Sequence, residues 1–290
     1  MTIYNLGSVN IDHVYRLSYL PAKGETIASQ DYVQGLGGKG ANQSIAAARA
    51  GARVIHIGGI GSQGDDWVLE RLERAGVDTS RIMRIPDTVT GHAVILVDAG
   101  AENVIVLYPG ANCQLDPMQL KQILSEIGPD DTLLLQNETN LQPEAARMAR
   151  LAGARVIYSC APFDIDAARA VMADVSILAL NEVEAGQLAD AMPDGIAVPM
   201  MLVTRGAAGA EYRDMTTGNM ITQTAFPVVP VDTTGAGDCF AGYFAAGLDV
   251  GRNPADALRH AAAASAIKVT RHGAGDAIPT ASEVAVFLKE

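Results

Sequence analysis

The stretch DTTGAGDCF, Asp232 to Phe240, sets three small residues between two acids, just ahead of a run with helical spacing. Gly235, Ala236 and Gly237 can present successive backbone N–H groups to an anion, because the first donors of a helix have no intrahelical partner. Such a cradle suits the charge spread over a phosphoryl group during transfer. Asp238 follows directly. A carboxylate at a helix start is stabilised by the helix dipole, so Asp238 is expected to be a weak base, which a loose phosphoryl-transfer transition state tolerates. The plain alternative is an N-cap aspartate on an ordinary turn.

A second glycine-rich turn, GLGGKGAN, puts Gly37, Gly38 and Gly40 before another helical run, with Lys39 as a cation and Asn42 as an amide one turn inside. It does not fit the P-loop, and no acidic residue follows at the distance the dinucleotide-binding fingerprint requires; taken alone it is equally a tight turn. An N-capping aspartate at Asp238 does not account for a second turn that carries both a cation and an amide.

These residues need a scaffold, and the hydrophobic periodicity supplies one. Short apolar runs (TIYNLGS at the start, RVIHIGG at Arg53, TLLLQ at Thr132, RVIYS at Arg155, SILAL at Ser176 and MMLVT at Met200) alternate with amphipathic stretches such as Asp65–Gly76. That alternation predicts an α/β fold: a mostly parallel sheet with helices on both faces. Two places interrupt it. Val89–Tyr108 reads as two β runs around a glycine turn, and HVYRLSYL and ETIASQDYV, between Ile11 and Gln34, read as two more strands. The expectation is one domain over residues 1–290, with a small β-sheet lid formed by about 11–36 and 88–109. A lid there would cover the carboxyl ends of the sheet strands, where ligands of open α/β sheets bind.

Composition narrows the partners. A formal charge of −12 argues against nucleic acid, whose binders cluster lysine and arginine. No apolar run is long enough to span a membrane, so a soluble, cytoplasmic protein is expected. Cys113, Cys160 and Cys239 are an odd number without metal-like spacing, which fits a reducing compartment. The five histidines (His13, His56, His92, His260, His272) also lack metal-like spacing and read as packing or surface residues.

The two turns, in this order, resemble the two signatures of the ribokinase (PfkB-type) carbohydrate kinase family, as GGKGANQSIAAARAGA and DTTGAGDCFAG. GSVNIDHVYRL, PAKGET, NEVEAG, LVTRGAAG and AIKVTRHGAG also have counterparts there, so the resemblance spans nearly the whole chain. It implies an α/β domain with a β-sheet lid and an ATP-dependent kinase. The sugar-facing positions look like those of members that phosphorylate ribose at its primary hydroxyl; a nucleoside, 2-deoxyribose or a ketohexose derivative is the alternative acceptor, and a non-catalytic sensor the alternative class. By that resemblance Asn10 and Asp12 bind sugar hydroxyls, Gly38, Lys39 and Asn42 close around others, and Glu138 contributes a further carboxylate. Asp238 takes the proton of the attacking hydroxyl beside the hole of Gly235, Ala236 and Gly237. Asn181 and Glu184 organise phosphate and Mg²⁺, and Thr204, Arg205, Gly206 and Gly209, with Gly237, line the ATP site. A K⁺ activator is held by the Asp232 carboxylate and by carbonyls of Thr234, Lys268, Arg271, Gly273 and Ala277. The resemblance also implies a homodimer paired through the lids, with Val94, Ile95, Val104 and Val106 as its apolar face.

Overall fold

The computed structural model describes residues 1–62, 64–100 and 102–289. Its strands are β1 (Ile3–Leu6), β2 (Asn10–Arg16), β3 (Asp31–Gly37), β4 (Val54–Gly61), β5 (Val77–Ile85), β6 (Gly91–Val97), β7 (Asn103–Tyr108), β8 (Thr132–Gln136), β9 (Arg155–Ser159), β10 (Ile177–Asn181), β11 (Met200–Thr204), β12 (Ala210–Asp214) and β13 (Met220–Gln223). Nine form one sheet in the order β13-β12-β11-β10-β9-β8-β1-β4-β5. From β11 to β5 every neighbour is parallel, while β12 and β13 add an antiparallel edge.

The central strands are buried on both faces, so alternate residues feed two cores. Ile3, Leu134 and Ile157 pack with the helices Lys39–Arg49, Ala236–Asp249 and Pro254–Val269. Tyr4, Leu133, Leu135 and Val156 point the other way, towards the helices Pro117–Leu124 and Gln142–Leu151. Alanine and glycine line the contact between the Lys39 and Ala236 helices. A Cβ on Gly242 would come within 2.5 Å of the Ala46 side chain, so the close approach needs glycine there. The expected mostly parallel sheet with helices on both faces is present. Among the described residues no helix is long and apolar enough to cross a membrane.

The remaining strands form a second sheet, β3-β2-β6-β7. Its borders differ from the sequence reading. β2 starts at Asn10 rather than His13 and ends at Arg16; β3 starts at Asp31 and runs to Gly37. The first glycine of the Lys39 turn is therefore the last residue of a strand. Gly38 is the N-cap, at φ 92°, and Gly40 lies inside the helix. Hydrophobicity alone misplaced these ends because β2 and β3 pair residue for residue, Asn10 opposite Gly37 and Arg16 opposite Asp31, through polar positions. β6 and β7 pair antiparallel as expected; Ala101, between them in the sequence, lies outside the described residues.

Register also corrects the apolar face. Val94 faces Val106 and Leu96 faces Val104, whereas Ile95 pairs with Ile105. Successive strand residues alternate between faces, so Val94, Leu96, Val104 and Val106 share one face and Ile95 lies on the other, the face of Asp12 and Ala93.

Candidate active site

The functional side chains gather at the carboxyl ends of the parallel strands. β1 ends into Gly7 and Ser8 and leads to Asn10; β8 ends at Gln136, two residues before Glu138; β10 ends at Asn181 and β11 at Thr204. Opposite them stand the N-termini of the Lys39 and Ala236 helices. One cleft is lined by Lys39, Asn181, Glu184, Thr204, Gly235–Gly237 and Asp238.

Asp238 is not an N-cap. Gly235 caps the helix, at φ 72°, where a side chain would be strained. Asp238 sits in the first turn, and its two oxygens accept from different side chains of the Lys39 helix: Oδ2 from Asn42 Nδ2 at 3.0 Å and Oδ1 from Gln43 Nε2 at 3.0 Å. Burial pushes its pKa up; Lys39 and the two amide hydrogen bonds oppose this without cancelling it. The expected weak base is thus corrected: desolvation outweighs the helix start, and Asp238 is a better proton acceptor than an ordinary aspartate.

Gln43 was missed in the sequence, and it ends a buried polar chain. Its Oε1 accepts from Gln136 Nε2, which also donates to Asn5 Oδ1, both at 2.8 Å. Asn5 Nδ2 donates to Ser44 Oγ at 2.8 Å, and Ser44 Oγ lies 2.8 Å from His56 Nδ1. His56 Nε2 faces the Gly7 carbonyl at 3.1 Å, which makes Nε2 the protonated nitrogen and Nδ1 the acceptor. Burial lowers the His56 pKa to about 4, so the ring is neutral.

Among the positions expected to face the sugar, Asn10 Oδ1 accepts from Asn112 Nδ2 at 2.7 Å, which leaves the Asn10 amide to act as a donor. Asn112, equally unforeseen, also accepts from the Val9 N–H at 2.9 Å. Asp12 is pushed up to about 6 by burial first and by Glu138 second, with Lys39 opposing. Glu138 accepts from the Ser8 hydroxyl and, at 3.1 Å, from the Lys39 N–H; the Lys39 ammonium lies 3.9 Å from its other oxygen. Lys39 therefore stands among Asp238, Glu138, Glu184 and Asp12, whose charges outweigh burial and raise its pKa. Asn42 gives one of its two amide N–H donors to Asp238, and its buried Oδ1 has no partner among the described residues.

Of the three expected anion donors, Ala236 N–H is turned into the chain, bonding the Thr233 carbonyl at 3.1 Å. Gly237 faces open space, with nothing within 4 Å of where a Cβ would stand. On the other side of the cleft, Asn181 and Glu184 form a reciprocal capping box: Asn181 Oδ1 accepts from Glu184 N at 2.9 Å, and Glu184 Oε2 from Asn181 N at 2.8 Å. One oxygen of Glu184 stays available, and burial raises its pKa. Arg205 is turned away, paired with Glu211 and lying 3.7 Å from Glu182. Gly206 and Gly209 shape the turn between β11 and β12, closed by Arg205 N–H on the Gly209 carbonyl. Among the described residues, no group of three or more His, Cys, Asp or Glu side chains is arranged to hold a metal ion.

The structure brings the expected cation loop together. Asp232 Oδ1 accepts from Thr234 N–H at 2.8 Å and Oδ2 from Gly273 N–H at 2.9 Å. The Arg271 N–H bonds the Lys268 carbonyl at 3.0 Å, and the Ala277 N–H bonds Ala274 at 3.2 Å. Lys268 departs from expectation, because its side chain and not only its carbonyl enters the loop: Nζ donates to the Asp232 carbonyl at 2.8 Å.

A family model described as "pfkB family carbohydrate kinase" matches residues 2–281. The chain is 36% identical to a ribokinase of Haemophilus influenzae, over 99% of this chain and 98% of that one. It superposes on a ribokinase of Cryptococcus neoformans solved with ADP, at TM-score 0.83 and 34% identity, covering 98% of each chain. A ribokinase of Arabidopsis thaliana solved with ribose and ATP gives TM-score 0.88 at 27% identity, covering 100% of this chain and 98% of that one. With both glycine turns, the carboxylate between them and the whole sheet accounted for, the chain belongs to the pfkB family of carbohydrate kinases.

Proposed function

We propose that this protein transfers the γ-phosphoryl group of ATP to the primary hydroxyl of D-ribose, giving D-ribose 5-phosphate. The observation that carries this reading is Asp238. It is a partly buried carboxylate of raised pKa, oriented by Asn42 and Gln43, beside Gly237 and across the cleft from Lys39. Asp238 accepts the proton of the attacking hydroxyl, and the Gly235 and Gly237 N–H groups meet the charge on the transferring group. Asn10, Asp12 and Glu138 offer one amide donor and two carboxylates, the donor and acceptor mix that a polyol requires. The similarity to ribokinases, one of them solved with ribose and ATP, supports this acceptor and this donor.

Asn181 and Glu184 would hold Mg²⁺ with the phosphates. One available carboxylate oxygen suits a hard cation that keeps most of its waters and takes phosphate oxygens as ligands. There Mg²⁺ would neutralise the charge of the β- and γ-phosphates. Thr204, Gly206 and Gly209 belong to the nucleotide side. The small sheet would serve as a lid within one domain, and the outer edge of its last strand β7, exposed along its whole length, would pair with a second copy. The use of ATP and the buried unbridged thiols Cys160 and Cys239 fit a reducing compartment such as the cytoplasm.

The deciding assay is ADP release with ATP and Mg²⁺ on ribose, 2-deoxyribose, adenosine, uridine and fructose, beside Asp238→Asn. Turnover on ribose that disappears in the variant supports both acceptor and base. Preference for another acceptor would replace ribose. Ribose binding without turnover on any acceptor would make the protein a sensor.

A further inference from the structure

The cation loop does not fit the K⁺ that the family resemblance implies. Its one carboxylate, Asp232, already accepts two backbone N–H groups. Its carbonyl is taken by Lys268 Nζ at 2.8 Å, and the same ammonium lies 4.0 Å from Asp232 Oδ1. The Lys268 side chain is fully buried, 0% exposed. A buried ammonium is among the costliest groups to place in a protein unless it is paired, and its pair here is Asp232. The nearby Cys239 thiol adds no second anion, since burial pushes it up to about 12. A K⁺ beside Asp232 would therefore share one carboxylate with an ammonium that cannot leave. The Lys268 carbonyl, one of the expected ligands, already accepts the Arg271 N–H at 3.0 Å. A second side-chain cation holds the far end of the loop: Arg49 donates to the carbonyls of Gly275 and Asp276, at 3.2 and 3.1 Å, and to that of Ile278.

We infer that the Lys268 ammonium is the resident cation of the Asp232 loop, so that this kinase works without a monovalent-cation activator. The inference rests on reading Gly235–Gly237 as the anion hole, to which the loop is joined covalently and by hydrogen bonds. Thr234, whose N–H is fixed by Asp232, precedes Gly235 directly. Ser265, one turn before Lys268 on the same helix, donates to the Ala236 carbonyl at 3.0 Å. A tethered ammonium holds this loop at any external salt composition and loses no translational freedom in doing so.

The test uses the full chain, as wild type, Lys268→Ala and Lys268→Met, melted in tetramethylammonium buffer titrated with KCl or NaCl at constant ionic strength. Ribose phosphorylation is followed in the same buffers. The wild type is expected to show no K⁺-selective rise in Tm and no K⁺ stimulation. Lys268→Ala keeps the backbone carbonyls and frees both the space and the carboxylate. It should lose about tenfold in kcat without K⁺, gain a K⁺-selective rise in Tm, and recover activity with K⁺ or methylammonium. A K⁺-selective rise in the wild-type Tm, or wild-type activity that requires K⁺, would overturn the inference. If Lys268→Ala fails to fold, the wild-type melts still decide, with Lys268→Met as the variant that fills the space without charge. Because melting reads ion binding directly, a protein inactive on ribose would refute the proposed acceptor and leave this test standing.

Discussion

Two carboxylates with similar surroundings take different parts at the residue scale. Asp238 accepts two amide hydrogen bonds that favour its charged form, yet burial keeps its pKa raised. Burial first and Glu138 second raise Asp12 to about 6 against the Lys39 charge. Replacing Asp238 by Asn should lower kcat by about 10²–10⁴-fold, the usual worth of a positioned base, with little change in KM for the sugar. Ionised Asp12 offers sugar hydroxyls two charged acceptor oxygens, and protonation weakens both and turns one into a donor, so kcat/KM for ribose should fall as pH drops through about 6. Asp12→Asn should remove that limb from KM while the Asp238 limb in kcat stays.

The sign for stability is the reverse. The folded state holds the Asp12 proton to higher pH than the unfolded chain does, so this group favours folding at low pH. That contribution is lost as pH rises from the ordinary aspartate range through about 6. Asp12→Asn should therefore raise stability at neutral pH by about 2 kcal/mol, visible as a higher Tm.

At the scale of elements, the site depends on how two helices meet. The Lys39 and Ala236 helices pack through alanine and glycine closely enough for Gln43 and Asn42 to reach Asp238. Behind Gln43, the chain through Gln136, Asn5 and Ser44 to His56 ties that helix to β8, β1 and β4. Gln43→Leu removes a donor to the charged form of Asp238 and leaves Gln136 with one fewer acceptor. The acid limb of kcat should move to higher pH while KM holds, and stability should fall by about 1–3 kcal/mol. An unchanged kcat–pH profile would deny Gln43 its positioning role.

For the whole molecule, the small sheet ends in β7, where Val104, Ile105, Val106, Leu107 and Tyr108 are 45–62% exposed. An apolar edge of that length invites pairing with another chain. Val104→Lys with Val106→Lys charges the face shared with Val94 and Leu96 and should turn a dimer into a monomer in sedimentation at micromolar concentration. A wild type that sediments only as monomer at that concentration would remove the dimer.

The sequence by itself determined the architecture and the two turns. Strand and helix periods are local, burial on both faces writes continuous apolar runs such as TLLLQ and RVIYS, and two glycine turns before helices, one carrying a cation and one an acid, are visible in the chain as written. Element borders in the small sheet escaped it because β2 and β3 are set by pairing partners, not by their own hydrophobicity. Gln43, Asn112 and the polar chain behind them carry no local signal: each is an ordinary amide until a residue far away in the chain, such as Asp238, is folded against it. The pKa of Asp238 was misread for the same reason, since a helix start is visible in sequence and desolvation is not. Lys268 shows the limit most clearly. In sequence it is one more lysine near a helix end, and only packing shows that its ammonium is buried against Asp232.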